Sequence, residues 1–151
     1  MAKKKYGGSD LSRLGKKSWV KQQLEKPKSS DDNVVTSYSN VPATGIEELK
    51  RMVDENPENL DMKDMLAFML YSNERWDEAI EVFKDLVARN HNPGNQHLYL
   101  GNIYYRKGLI QFALIHWDKV REYSPSSMEA KKARERAARV RQGLSINLKE
   151  S

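Results

Sequence analysis

The sequence predicts an all-α protein, a solenoid of helical hairpins with about six helices, preceded by a basic N-terminal tail. Three observations carry this reading. The stretch from Leu60 to Pro125 matches itself when displaced by 34 residues: Leu66 falls on Leu100, Ala67 on Gly101, Leu70 on Tyr104, Tyr71 on Tyr105, Ala79 on Ala113, Phe83 on Trp117 and Leu86 on Val120. The helix-ending positions follow the same period, since Pro57 precedes His91 by 34 residues and Pro125 by 68. Finally, Thr44-x-x-Glu47 and Ser126-x-x-Glu129 bracket the repeated stretch with capping-box signals, in which each side chain satisfies a free backbone N–H of the other. A fixed period of this length marks stacked hairpins, each too small to bury its apolar face alone.

Taken in order, residues 1–43 read as a flexible tail. Lys3-Lys4-Lys5, Gly7-Gly8 and the run from Lys26 to Asp32 are polar and without period. Within the tail, Leu11, Leu14, Val20 and Leu24 recur near a helical spacing with Trp19 alongside, and Ser9 or Asp10 is placed to cap them. The stripe is short and interrupted by Gly15, so it is marginal as a lone helix. It reads as a docking helix over residues 9–25 that folds on another surface: a partner, the same chain, or a second copy. Residues 44–142 form the repeat domain. A half repeat (44–57) places Leu49, Met52 and Val53 on one face. A repeat over 60–91 pairs helices near 60–72 and 75–89, with Asn73 expected to take a left-handed turn. A repeat over 94–125 pairs helices near 93–106 and 109–123, with Asn92 capping, Pro93 at the helix start and Gly108 in the turn. A closing helix (126–142) carries a narrow stripe of Ala130, Ala133, Ala137, Val140 and Leu144, and residues 143–151 form a C-terminal tail. Ala79, Gly101 and Ala113 are small where helices cross closely, while Phe83 and Trp117 fill the space between layers.

The second copy reads His97-x2-Leu100-Gly101-x2-Tyr104, then Ala113-x3-Trp117, then Pro125. This resembles the tetratricopeptide repeat (TPR) family, with His97 in place of that family's leading Trp. The first copy reads Lys63-x2-Leu66-Ala67-x2-Leu70, then Ala79-x3-Phe83, with His91 where the closing Pro stands. The resemblance implies that the first helix of each hairpin lines a concave groove that binds a protein or peptide segment. In that register the groove takes Asp61, Asp64, Phe68, Tyr71 and Ser72 from the first repeat. Asn95, Leu98, Asn102, Tyr105 and Arg106 come from the second, and Glu129, Lys132 and Arg136 from the closing helix. Phe68 and Leu98 have packing between helices as their alternative. The family's chaperone-clamping members hold a terminal carboxylate with Lys and Asn in the first helix. Asp64 and Phe68 occupy those places here, so an acidic terminus is repelled there. Asn102, Lys132 and Arg136 retain part of such a clamp.

Composition sets the remaining limits. Of 151 residues, 38% are hydrophobic and 31% charged, which suits a solenoid that is largely surface. Without cysteine there is no disulfide, thiolate nucleophile or cysteine-based metal site. The basic N-terminus is followed by no apolar run of signal type, and nothing approaches the roughly 18 apolar residues of a membrane span, so a cytoplasmic protein is expected. The net charge of +5 divides into +5 over residues 1–40, −4 over 41–127 and +4 over 128–151. Two basic ends therefore flank an acidic core. The basic ends offer an alternative function, an RNA- or ribosome-associated factor. Lys131, Lys132, Arg134, Arg136, Arg139 and Arg141 ring the closing helix, and such density binds phosphate backbones without reading sequence. An enzyme is not expected, nor a cofactor. The three histidines, His91, His97 and His116, show no i, i+4 ligand pair, and Glu47-Glu48 and Asp77-Glu78 sit in first helical turns, where they meet the dipole favourably.

Overall fold

A computed structural model describes residues 43–148. Among them the chain is all-helical, with no strand: α1 (Ala43–Glu55), α2 (Leu60–Ser72), α3 (Trp76–Ala88), α4 (Pro93–Arg106), α5 (Ile110–Tyr123) and α6 (Met128–Arg141). The chain divides into two compact units between Val82 and Phe83, within α3. The tail expectations, including the docking helix with Leu11, Leu14, Trp19, Val20 and Leu24, lie outside the described residues.

In the first unit, α1 packs on α2. Ile46, Leu49, Met52 and Val53 recur at three- and four-residue spacing, so one face of α1 is apolar and buried. From α2 come Met62, Leu66, Ala67, Met69 and Leu70. Each large side chain removed from water contributes about 1.5–3 kcal/mol. α1 begins at Ala43, so Thr44 lies inside the helix and does not precede it. α2 is capped by Asn59, whose side-chain oxygen accepts the Met62 N–H at 3.0 Å. An ion-pair network joins α1 to the start of α3: Glu78 receives Arg75 at 2.6 Å and Lys50 at 2.8 Å, and Arg75 also reaches Glu47 at 3.1 Å. The Arg75 bond first, and the Lys50 bond second, hold the Glu78 carboxyl below its ordinary pKa.

Four helices end the same way. The residue after the cap takes a left-handed conformation, and the last carbonyls receive the two following N–H groups. For α4 the left-handed residue is Gly108 (φ 80°), with Gly108 N–H bonding Tyr105 and Leu109 N–H bonding Tyr104. For α2 it is Glu74 (φ 60°), in the Gly108 column. The turn expected at Asn73 falls one residue later because Asn73 closes the helix instead: its backbone and side-chain N–H groups both donate to the Met69 carbonyl. Asn90 serves α3 and Gly143 serves α6.

The second unit contains the end of α3, then α4, α5, α6 and residues 142–148. α4, α5 and α6 all pack on one another. Their core is Leu98, Ala113, Trp117, Val120, Ala130, Ala133 and Ala137. Gly101 explains the tightness of the α4–α5 crossing: a Cβ there would meet the Trp117 indole at 2.4 Å. Asn92 occupies the cap position of α4 in a left-handed conformation and makes no side-chain cap bond, contrary to the expectation. The cap of α6 is Ser127, one residue beyond the predicted Ser126, and its Oγ accepts the Ala130 N–H at 3.0 Å.

Candidate functional site

Among the groove residues predicted for the second unit, Tyr105 on α4 and Lys132 and Arg136 on α6 are half-buried, on two helices that pack together and are joined by a bond from Arg136 to Asn102. The other predicted members divide. Arg106 is exposed at the end of α4. Leu98 is buried in the core cluster, which is the packing alternative. Asn102 is also interior, at 2% exposure, so it does not present its carboxamide to a ligand. Its oxygen accepts the Trp117 indole N–H at 3.1 Å and an Arg136 guanidinium N–H at 3.0 Å. A carbonyl oxygen has two lone pairs, and here both are used. Asn102 therefore fixes the direction of Arg136 from below.

Tyr105 lies beside Trp117, ring centroids 6.0 Å apart, and its phenolic oxygen accepts the backbone N–H of Ile146 at 3.3 Å. Ile146 belongs to the stretch after α6 that sequence periodicity left unread. At Gly143 (φ 76°) the chain reverses, and the Leu144 N–H closes on the Arg139 carbonyl. Leu144, expected on the buried stripe of α6, is thereby carried past the helix end and exposed. Both Arg139 Nε and Nη2 donate to the Ser145 carbonyl, at 3.2 and 3.0 Å. Ile146 then packs half-buried against the core cluster.

Within the first unit, Asp64 and Phe68 are half-buried on α2, and Tyr71 meets Trp76 edge-on at 5.6 Å and 67°. The basic residues of α6 are partly committed within the chain. Lys131 and Arg134 are exposed, whereas Arg139 clamps Ser145 and Arg141 pairs with Asp118 at 2.7 Å.

The structure also assembles a pair that sequence spacing missed. His97 on α4 and His116 on α5 meet with their Nδ1 atoms 2.9 Å apart. Their centroids are 5.1 Å apart, close to the Nδ1–Nδ1 distance plus one ring radius each, so the rings meet edge to edge in an N–H···N bond. One nitrogen donates and the other accepts. Tyr104 lies against His116 at 5.2 Å and Tyr123 against His97 at 5.4 Å. Burial first, then the His97 ring, then Lys119 and Lys84 push His116 down to about 4. Burial, followed by Lys119, also lowers His97, with Glu122 opposing. The signal in the sequence was symmetry, because the two residues are nearly equidistant from the Lys107–Gly108 turn and an antiparallel hairpin brings them abreast.

Among the described residues no group of three or more His, Asp or Glu side chains converges to hold a metal ion, and no helix is long and apolar enough to cross a membrane. No family model matches the chain, and neither the curated proteins nor the solved structures contain a match.

Proposed function

We propose that the chain is a non-catalytic scaffold of the TPR kind, acting in the cytoplasm, that binds an extended protein segment on the α4–α6 face of its second unit. The observation that carries the reading is the built support of that face. A buried carboxamide, Asn102, bonds the Arg136 guanidinium; a half-buried aromatic, Tyr105, follows Asn102 by three residues on α4, and Lys132 precedes Arg136 by one turn on α6. Fixed polar groups next to a partly desolvated aromatic anchor are what peptide recognition requires, because little side-chain freedom remains to be lost on binding. The 34-residue self-match and the TPR-like columns support the same class. The cationic pair favours a segment carrying a carboxylate. A purely phosphate-binding helix is less favoured, since Arg139 and Arg141 are turned to partners within the chain.

The test is affinity capture from cytosolic extract by the full chain, in parallel with Tyr105→Ala and Arg136→Ala. Truncating a genuine anchor costs about 2 kcal/mol or more, a loss of roughly thirtyfold in affinity. Recovery of the same proteins in equal amounts by all three would mean that this face is not the binding surface. Capture that disappears between 50 and 200 mM salt while ignoring both substitutions would identify backbone phosphate as the ligand instead.

A further inference from the structure

We propose that residues 144–148 are a built-in occupant of the α4–α6 face, held there as a ligand would be, and that a partner binds by displacing them. The inference rests on the reading of this face as a binding surface and adds the chemistry of what it takes. Past the Gly143 turn the segment has no helical pattern, and its main chain is gripped by side chains of the face. Arg139 forks its two N–H groups onto the Ser145 carbonyl, and Tyr105 receives the next N–H, that of Ile146. The Ile146 side chain fills the space against the core cluster, where Tyr105 and Val140 also pack. One carbonyl, one N–H and one aliphatic side chain on consecutive residues are contacts any extended peptide can supply. The partner segment is therefore an extended stretch with an aliphatic residue in the place of Ile146. Gly143 is what turns the segment onto the face. A Cβ there would meet nothing within 4 Å, so glycine serves the positive φ and not a lack of room. Because the segment follows α6 directly, it competes at a high effective concentration, and a partner's apparent affinity falls by the fraction of time the face is open.

The probe is a fluorescein-labelled peptide of residues 142–151 of this chain, titrated by anisotropy into full-length protein. Gly143→Val strains the turn and leaves every group on the face intact. Ile146→Asp removes the occupying side chain. Both sites lie outside the helices, and circular dichroism checks that helicity is retained. The wild type should bind the peptide weakly and both variants roughly tenfold or more tightly. Adding Tyr105→Ala to Gly143→Val should abolish the gain, and a peptide carrying Ile146→Asp should not bind. Equal binding by wild type and variants, or none by any, overturns the inference, whatever cellular proteins are captured. If the peptide binds the released face but capture of cellular partners ignores Tyr105→Ala, the occupant stands and the proposed function falls.

Discussion

Replacing His116 by Phe should flatten the acid limb of the chain's stability curve. In the folded second unit the His116 imidazole is held at about 4, against an ordinary 6.5, and His97 is lowered beside it. The unfolded chain carries ordinary imidazoles. Below pH 6.5 it takes up protons that the folded chain refuses, so stability is complete above that pH and is lost as pH falls toward 4. Each pKa unit corresponds to about 1.4 kcal/mol, and the full shift to about 3.5 kcal/mol. His116 is only half-buried, and solvent screening reduces this to about 2 kcal/mol. About 1 kcal/mol should already be gone at pH 5. The carboxylate contribution from Glu78, whose pKa is lowered, is lost below its ordinary 4.5 and leaves this window clear. The assay is urea unfolding between pH 7.5 and 5, followed by tryptophan fluorescence and far-ultraviolet circular dichroism. His116→Phe lowers the starting stability, because His97 loses its Nδ1 partner, so the slope and not the intercept decides. Parallel slopes for wild type and variant would refute the linkage.

Gly101→Ala places a methyl group 2.4 Å from the Trp117 indole and should cost about 1–3 kcal/mol by overpacking, read as a lower melting temperature. Lys107→Ala, on the exposed turn nearby, should change stability by less than about 0.5 kcal/mol; equal effects at the two sites would contradict the crossing geometry. Glu74→Gly should stabilise the chain by about 1 kcal/mol, because the left-handed φ of 60° is costly for any residue with a Cβ and the Gly108 column already shows the remedy. No gain in melting temperature would mean that the Glu74 side chain offsets its own backbone.

The helices were legible because their buried residues repeat. Leu66, Ala67, Leu100 and Gly101 announce the first helices, and Ala79, Phe83, Ala113 and Trp117 the second, through spacing that a 34-residue displacement superposes. Caps were legible only to within a residue. Neighbouring serines such as Ser126 and Ser127 offer the same hydroxyl, and only the backbone decides which one closes on Ala130. The face of the second unit was half legible. Tyr105, Lys132 and Arg136 follow from register, but a carboxamide in a helix looks the same pointing in or out, and Asn102 turned inward to meet Trp117. Leu144 continued the α6 stripe in sequence but not in space, and the residues after it gave no signal. An extended segment gripped by side chains has no period, and its partners lie 6 and 41 positions away, Arg139 from Ser145 and Tyr105 from Ile146.

The alanine seam of α6 sets the order in which this unit comes apart. Ala130, Ala133 and Ala137 let the helix approach closely, yet they bury little apolar area, so α6 is the least firmly held of the three. Its departure leaves the Asn102 oxygen still satisfied, since that oxygen keeps the Trp117 indole when Arg136 withdraws. The composition of α6, rich in Ala, Arg, Lys and Glu, favours helix even when detached, although 14 residues alone are marginal. In native-state hydrogen exchange, the amides of α6 should therefore report a sub-global opening while those of α4 and α5 stay protected. A pull on the C-terminus should peel the same helix first, exposing Trp117 to quenchers before the hairpin beneath it yields.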